Sequence, residues 1–341
     1  MNLKPLALAA AASLVAAASA MAEPYRVIVP LSADDEGAMA RLINFDTGAT
    51  VDSVLVTDGA AVFTGDIDEP ILARVVVEGS RLPGFILESG TIARSKEGEF
   101  FGTMLNDQMR SFGQEMKTLA YAFQQASSDT EKQKIYDRYN AALDSATREN
   151  ADNVLGLFYF LEGDASQLDA PSLRAELTRY PDFAKSQRVQ AMLANAEKRE
   201  ATSVGHKFTD FEVTYNGKTE RLSDYVGKGK YILVDFWASW CGPCIRQTAV
   251  LKDIYNKYKD ANLEVLGVAV WDKPDDTLRA IEQHELPWHC IIDAQTIPTE
   301  LYGINGIPCI ILFGPDGTIL SRDKQDDALR ADVDAALSSG K

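Results

Sequence analysis

Two cysteines three residues apart, Cys241 and Cys244, lie at the junction of a predicted strand and a predicted helix. Thiols at positions i and i+3 of a first helical turn can approach closely enough to form a disulfide. The unpaired N–H groups and the positive end of the helix dipole favour a thiolate on the first cysteine. Gly242 permits a tight entry into the helix, and Pro243 is tolerated there because its missing N–H would have had no partner. The spacing therefore predicts thiol–disulfide exchange, in which Cys241 attacks and Cys244 resolves the mixed disulfide.

A zinc site is the alternative for such a pair of cysteines. Structural zinc needs four ligands, and zinc ribbons supply the other two as a second close pair. The remaining cysteines, Cys290 and Cys309, are far apart in the sequence and lie in apolar predicted strands. Small disulfide-held scaffolds spread cysteines along the chain, whereas residues 1–240 contain none. We therefore expect redox chemistry that uses neither a metal nor a cofactor.

A carboxylate six residues before the first cysteine is the candidate proton acceptor. Asp235 lies in the run 231–237, which is apolar on both faces and is predicted to form a central strand covered on both sides. Burial of an ionised carboxylate is costly, so its pKa should be raised. In a parallel α/β unit this position can lie beneath the start of the helix. The carboxylate could there accept the proton of Cys244, the resolving thiol. The alternative is a carboxylate turned to solvent near a sheet edge.

The elements that must position these residues alternate between strand and helix patterns beyond residue 204. Parallel units closed by one antiparallel hairpin predict an α/β sheet covered by helices. The predicted strands are 231–237, 263–271, 290–292, 310–313 and 318–320, and the predicted helices are 241–258, 277–284 and 326–337.

The chain before residue 204 divides into two further predicted parts. Residues 23–100 consist of short apolar runs broken by turn signals and are predicted to form a small β domain, with a hairpin at Asp58-Gly59. Residues 101–200 have a helical period, and their methionine and aromatic stripe from Met104 to Phe123 is expected to face a core. Residues 201–206 are the predicted linker. Further predicted strands are 71–77 and 85–88, and further predicted helices are 153–161, 172–177 and 183–198.

Residues 1–22 are predicted to be a secretory signal peptide. Lys4 precedes an uncharged run rich in alanine and leucine that ends in Ala20-Met21-Ala22, an A-x-A cleavage pattern. A membrane anchor is the alternative. It is disfavoured because the run from Leu6 to Ala22 is rich in alanine and shorter than the roughly 20 apolar residues that a membrane span needs. No cysteine near the cleavage site could accept a lipid. We therefore predict an exported, periplasmic or otherwise extracytoplasmic protein.

The overall charge disfavours partners that carry phosphates. The chain of 341 residues has 34 Lys and Arg against 50 Asp and Glu, a net charge of −16. A protein that neutralises phosphates needs the opposite balance. Nucleic acids and anionic lipid surfaces are therefore not expected partners.

The segment Val234-Asp-Phe-Trp-Ala-Ser-Trp-Cys-Gly-Pro-Cys244 resembles the active-site segment of thioredoxin, and Gly306-Ile307-Pro308 resembles its cis-proline segment. The wider frame, over 204–338, is similar to exported thioredoxin-like disulfide reductases related to cytochrome-c maturation factors. The resemblance implies a thioredoxin fold for residues 204–341. Residues 23–200 resemble the β-plus-helical region of uncharacterised function that often precedes such domains in Gram-negative bacteria.

The resemblance also implies roles for individual residues. Pro308 would follow a cis peptide bond and stand against Cys241. The Ile307 backbone would pair with an extended substrate strand, and Trp240 would form part of an apolar docking rim. The implied partners are disulfide-bearing exported proteins and an upstream thiol that donates electrons. The Gly-Pro dipeptide between the cysteines favours reduction by analogy with the family.

Three positions depart from the thioredoxin pattern or add to it. Ala249 stands where thioredoxins usually have a proline that kinks the active-site helix, so we expect a straighter helix. Cys309 replaces a residue that is usually threonine, and we expect it to be a small buried packing residue. Because the family's sheet order separates the strands of Cys290 and Cys309, both are expected to be free thiols.

Three other functions stay open at this point. An oxidase or isomerase could use the same cysteine pair. A binding or dimerising protein could act chiefly through its N-terminal region, with a homodimer formed there. A peroxiredoxin is less favoured, because its peroxidatic cysteine usually follows a Thr-x-x pattern and here Ala238-Ser239-Trp240 precede Cys241.

Overall fold

The computed structural model describes residues 22–339, without the side chain of Ser339. The predicted signal peptide therefore lies outside the described residues, apart from Ala22. The chain forms two compact units, Met1–Gly163 and Asp164–Lys341, so the division falls inside the predicted helical region. No helix between residues 22 and 339 is long and apolar enough to cross a lipid bilayer.

The described part of the first unit begins with a small β domain. Its two four-stranded sheets have the orders β4–β1–β7–β8 and β3–β2–β5–β6. They pack around one core, to which Phe63 contributes from one sheet and Phe85 from the other. The strands are β1 Glu23–Pro30, β2 Met39–Asn44, β3 Thr50–Leu55, β4 Ala60–Ile67, β5 Ile71–Val77, β6 Ser80–Leu87, β7 Gly90–Arg94 and β8 Phe100–Phe101.

The predicted hairpin at Asp58-Gly59 is wrong, although the turn itself is present. Asp58 and Gly59 have φ angles of 52° and 71°, and Thr57 and Ala60 exchange two backbone hydrogen bonds, as in a tight turn. Beyond the turn, β3 pairs with β2 and β4 pairs with β1. The Val56 N–H donates to the carbonyl oxygen of Ala38, just before β2, and is therefore not available to pair with β4. The turn therefore connects two sheets rather than two paired strands.

Three helices complete the described part of the first unit, and they differ from the prediction in two ways. Met116 is buried, but Met104 and Phe123 are 76% and 41% exposed, so the stripe faces a core only in part. The second helix buries only Leu143 and Thr147. Its sequence therefore lacks a strong apolar period, and for that reason the helix was not predicted. The helices are α1 Met104–Gln125, α2 Asp129–Glu149 and α3 Val154–Glu162.

The second unit contains two helices and then an α/β domain. The predicted strands and helices of this domain are present within a few residues of their expected bounds. A short hairpin, β9–β10, and the helix α8 were not predicted. The elements are α4 Ala170–Arg179, α5 Gln187–Ala201, β9 Glu212–Tyr215, β10 Lys218–Arg221, β11 Tyr231–Trp237, α6 Gly242–Tyr258, β12 Leu263–Ala269, α7 Pro274–Gln283, β13 His289–Ile291, α8 Ile297–Tyr302, β14 Cys309–Phe313, β15 Ile319–Arg322 and α9 Asp326–Ser339.

The main sheet of the second unit has the order β13–β12–β11–β14–β15. The strands β11, β12 and β13 are parallel, and β14 is antiparallel to both of its neighbours. Successive residues of central β11 face opposite sides: Leu233 joins the core with α6 and α9, and Phe236 joins the core with β9 and α8. This sheet with helices on both faces is the thioredoxin fold that the resemblance implies. The face that carries α6 and α9 is called the α6 face below.

Helix α5 packs closely against the α/β domain. Gly303 ends α8 with a φ angle of 61°, the left-handed conformation common at helix C-termini. A Cβ at this position would lie 2.5 Å from the Asn195 carbonyl oxygen and 2.7 Å from the Arg199 nitrogen, both on α5. The Arg322 guanidinium donates to the carbonyl oxygens of Thr202 and Tyr302, at 2.9 and 2.6 Å. Helix α5 and Thr202 are therefore packed together with the α/β domain.

Candidate active site

Cys241 and Cys244 form a disulfide at the N-terminus of α6. Cys241 is the N-cap residue, and its sulfur accepts a hydrogen bond of 3.1 Å from the Cys244 N–H. The cysteines are only 4% and 1% exposed, whereas Gly242 and Pro243 between them are exposed. The unpaired N–H groups of a helix start stabilise negative charge, so this position favours a thiolate once the disulfide is reduced.

The Ile307–Pro308 segment lies against this disulfide. The peptide bond between the two residues is cis. The Cys241 sulfur is 3.7 Å from the Ile307 carbonyl oxygen, across 66 residues of sequence. Both Ile307 and Pro308 are half-buried. The fold therefore brings the two segments of the resemblance together at one place.

Trp240 forms an exposed edge of the site and is held there by the backbone of Trp271. Trp240 is 62% exposed, and its Nε1–H donates to the Trp271 carbonyl oxygen at 2.9 Å. Trp271 has a φ angle of 53°, a left-handed conformation that is unusual for a bulky residue. Sequence reasoning missed Trp271, because its contact depends on a backbone angle that no motif marks.

A buried carboxylate, Asp272, holds the loop that leads into the cysteines. It accepts hydrogen bonds from the Ser239 N–H at 2.7 Å and the Ser239 hydroxyl at 2.9 Å. It also accepts from the Lys273 N–H and the Thr277 hydroxyl at the start of α7. Asp272 thus ties the residue two positions before Cys241 to a neighbouring helix. Sequence analysis missed it, and the available signal was an acidic residue just before a predicted helix.

Asp235 lies on the α6 face of central β11. It alternates with Phe236 and shares the side of Leu233 and Trp237, which contact α6. It is 4% exposed, and burial raises the pKa of its carboxyl group from 3.8 to about 7. Its Oδ1 has no hydrogen-bond partner among residues 22–339. The carboxyl group is therefore buried beneath the helix that carries the cysteines and is not turned to solvent.

Cys290 and Cys309 are buried free thiols. Their strands, β13 and β14, are separated by β12 and β11. Burial raises the pKa of Cys290 to about 12 and raises the pKa of Cys309 well above its ordinary value. Cys309 also donates to a carboxylate oxygen of Asp323 at 3.0 Å. Both thiols are therefore protonated near neutral pH.

One histidine has a carboxylate partner that its local sequence does not reveal. His289 Nε2 lies 2.6 Å from Glu220 Oε1, 69 residues away, and the Tyr225 hydroxyl donates to the same oxygen at 2.6 Å. Because His289 precedes Cys290 in a strand, the two side chains point to opposite faces. This histidine is therefore no base for the Cys290 thiol.

Comparisons with known proteins concern the second unit. A model of the AhpC/TSA family matches residues 204–322. The thiol-disulfide oxidoreductase ResA of Geobacillus kaustophilus is 31% identical over 123 residues, which are 36% of this chain and 70% of ResA. The ResA of Bacillus cereus strain ATCC 10987 is 27% identical over 128 residues, which are 37% and 73% of the two chains.

Two solved structures are also similar to this chain. The thioredoxin domain of a thiol-disulfide oxidoreductase from Bacteroides vulgatus is 30% identical, with a TM-score of 0.36. The matched region is 40% of this chain and 98% of that domain. A thiol:disulfide interchange protein from a Bacteroides species is 30% identical, with a TM-score of 0.37, and covers 41% and 94% of the two chains.

Proposed function

Because this chain belongs to the family of thiol-disulfide oxidoreductases that includes ResA, we propose that it reduces disulfide bonds in exported proteins. The observation that carries the proposal is the Cys241–Cys244 disulfide at a helix N-terminus, against the Ile307–Pro308 segment. A dithiol in this position can pass two electrons to a substrate disulfide and return to the Cys241–Cys244 disulfide.

In the first step, the Cys241 thiolate attacks one sulfur of the substrate disulfide. A bond forms between Cys241 and that sulfur, and the second substrate sulfur leaves as a thiolate that takes up a proton. The Cys244 N–H, 3.1 Å from the Cys241 sulfur, supports this role because it would donate to the thiolate.

In the second step, Cys244 resolves the mixed disulfide. Asp235 takes the proton from the Cys244 thiol, and the Cys244 sulfur attacks the Cys241 sulfur. The Cys241–Cys244 bond forms, and the remaining substrate sulfur leaves as a thiolate. A carboxyl group whose pKa is about 7 suits this role, because it can accept and release a proton near neutral pH. An upstream thiol then reduces the enzyme.

The substrate is proposed to bind around the cysteines in an extended conformation. The Ile307 backbone would form strand-like hydrogen bonds with it, as extended peptides do when they bind an exposed backbone. The exposed side chain of Trp240 would contact its apolar residues, and the exposed Gly242-Pro243 dipeptide would let the substrate approach the sulfur. These are substrate-binding roles for Trp240, Gly242, Pro243, Ile307 and Pro308.

The proposed location is the periplasm or another compartment outside the cytoplasm. The signal-like residues 1–22 support export. Substrate disulfides are common in such compartments and rare in the cytosol. Apart from the four cysteines of the second unit, the chain has no thiol that could form unwanted disulfides there.

Trapping tests the proposed function. A Cys244→Ser variant keeps the attacking thiol but cannot resolve, so it should accumulate mixed disulfides with exported proteins through Cys241. The matched control is the Cys241→Ser/Cys244→Ser double variant, which should trap none. If Cys244→Ser forms no adducts in the exported fraction, the chain does not act on protein disulfides.

The direction of the reaction is tested by equilibrating the pair with glutathione. A reductase should have a reduction potential near that of thioredoxin, about −270 mV. A value near that of the strong oxidant DsbA, about −120 mV, would favour the oxidase alternative.

A further inference from the structure

Gly267 leaves a space open on the strand next to Asp235. Asp235 of β11 pairs with Gly267 of β12, and Gly267 pairs with Cys290 of β13. The three residues therefore form one row across the sheet, and side chains in one row point to the same face. A Cβ at position 267 would lie 2.5 Å from the Cys290 sulfur and 3.1 Å from the Trp237 Nε1. The absence of a side chain at Gly267 is what admits both groups.

The polar atoms beside this space are deeply buried. Asp235, Trp237 and Cys290 are 4%, 2% and 6% exposed. In the described part of the chain, neither Asp235 Oδ1 nor Trp237 Nε1 has a hydrogen-bond partner of normal geometry. A buried polar group without a partner is sensitive to any polar neighbour. Cys290 supplies such a neighbour. Its sulfur interacts with the Trp237 and Gly267 N–H groups, and its protonated thiol is itself a weak hydrogen-bond donor.

The elements packed around Asp235 offer few competing charges. Burial is the cause of its raised pKa, with no charged group among residues 22–339 contributing to it. After burial, the negative charge of Asp235 is a second cause of the raised pKa of Cys290, and it is a minor cause of the raised pKa of Cys309 on the other face of the sheet. On the α6 face, the neighbouring elements present Cys241 and Cys244 of α6, Cys290 of β13 and the apolar Ile310 of β14. Cys309 of β14 faces the other side, where it donates a hydrogen bond to Asp323.

We propose that Cys290 is a positioning residue for the exchange reaction, whose thiol, admitted over Gly267, adjusts the affinity of the Asp235 carboxyl group for the proton of Cys244. The inference rests on the proposed function and deepens it. A donor beside a carboxyl group favours the ionised form, and its removal favours the protonated form. The identity of residue 290 therefore changes the pH at which Asp235 is ionised, and with it the pH at which Cys244 can resolve the mixed disulfide.

The test compares volume-matched variants that differ in one donor. Cys290→Ser and Cys290→Thr carry a hydroxyl, whereas Cys290→Ala and Cys290→Val do not. The reduced protein is mixed with dithiobis(nitrobenzoate), whose two coloured thiolates are released in turn as Cys241 attacks and Cys244 resolves. The pH midpoint of the second release is measured for each variant. We expect a lower midpoint for Ser than for Ala and for Thr than for Val, by about one pH unit.

Internal and matched controls separate this role from packing. The first release should keep the wild-type midpoint in all four variants. Cys309→Ser makes the same substitution at the other buried thiol, whose sulfur lies in the core on the opposite face of the sheet, and should leave the second midpoint unchanged. Two pairs are used so that one remains informative if a bulkier variant does not fold.

Each failure has a separate meaning. Equal midpoints within both folded pairs would overturn the role of Cys290 and leave the proposed function intact. If Asp235→Asn kept the wild-type pH profile of the second release, Asp235 would not be the proton acceptor and the inference would fall with it. If the wild-type protein released neither thiolate, the proposed function itself would fail.

Discussion

Asp272 accepts two hydrogen bonds from Ser239, one from the backbone N–H and one from the hydroxyl. The same carboxylate accepts hydrogen bonds from two groups at the start of α7. Asp272 is only 6% exposed, and these four hydrogen bonds take the place of water. Hydrogen bonds to a buried charged group are stronger than neutral ones. This relationship fixes the loop immediately before the reactive cysteine to a helix that no sequence motif connects with it.

Removal of this carboxylate should both destabilise the protein and slow the exchange. Asp272→Ala leaves the buried Thr277 hydroxyl and three part-buried donors without an acceptor. We expect a loss of about 2–3 kcal/mol in the free energy of unfolding. The rate of disulfide reduction should fall as the Ser239 loop loses its fixed position. Urea unfolding and reduction of a model disulfide measure the two effects. Asp275→Ala, at an exposed position on the same helix, is the matched control and should change stability by less than about 0.5 kcal/mol.

The stability of the oxidised protein should fall as the pH rises from about 4 to 7. Burial raises the pKa of Asp235 from 3.8 to about 7. Between these values the unfolded chain releases the proton and the folded protein retains it, so the folded state is progressively disfavoured and the loss is complete above the higher value. The full difference is about 4 kcal/mol.

Asp235→Asn should remove this dependence, because the amide does not titrate. We expect the variant to be more stable than the wild type at about pH 8 and similar to it at about pH 4. Unfolding free energies of the oxidised proteins at both values measure the effect. Asp275→Asn should retain the wild-type slope. A slope that persists in Asp235→Asn would mean that another buried group titrates.

Gly303→Ala should loosen the contact between α5 and α8. The added Cβ would lie 2.5 Å from a backbone oxygen of α5, and the φ angle of 61° is unfavourable for alanine. We expect a loss of about 1–3 kcal/mol in the free energy of unfolding. Gly306→Ala is the matched control for stability, because a Cβ there meets nothing within 4 Å. Equal stabilities of the two variants would contradict the close packing at Gly303.

Trp240→Ala should separate recognition of proteins from the chemistry of exchange. The side chain is 62% exposed, so the variant should fold normally, with a change below about 0.5 kcal/mol. Loss of an aromatic anchor should lower kcat/KM for a protein disulfide about tenfold or more. The rate with a small aromatic disulfide should stay close to that of the wild type. Similar losses with both substrates would argue that Trp240 acts on the reactive sulfur instead.

Local patterns predicted the parts of the site that lie within one strand–helix unit. The apolar run of β11 predicted a covered central strand and hence the burial of Asp235, because period and composition depend on the strand itself. The spacing of Cys241 and Cys244 predicted the helix start in the same way. These features need no knowledge of distant residues, and the sequence was sufficient for them.

Relationships across the fold could not be predicted from those patterns. The contact between Ser239 and Asp272 and the contact between Glu220 and His289 join residues 33 and 69 positions apart. The Asp58-Gly59 segment forms the predicted tight turn. The strands on either side of it pair with β2 and β1, in two different sheets, and not with each other. Tertiary pairing overrides a local turn signal.

The burial of all four sulfurs has a practical consequence for anyone who assays this enzyme. In the oxidised state two sulfurs are bonded to each other and two are enclosed in the core, so a reagent added to the intact molecule would find no titratable sulfhydryl. Denaturation would expose two thiols in the oxidised enzyme, Cys290 and Cys309. The folded reduced enzyme should react without denaturation, through Cys241. A blank labelling result on the folded protein would therefore indicate the oxidised form and not an inactive preparation.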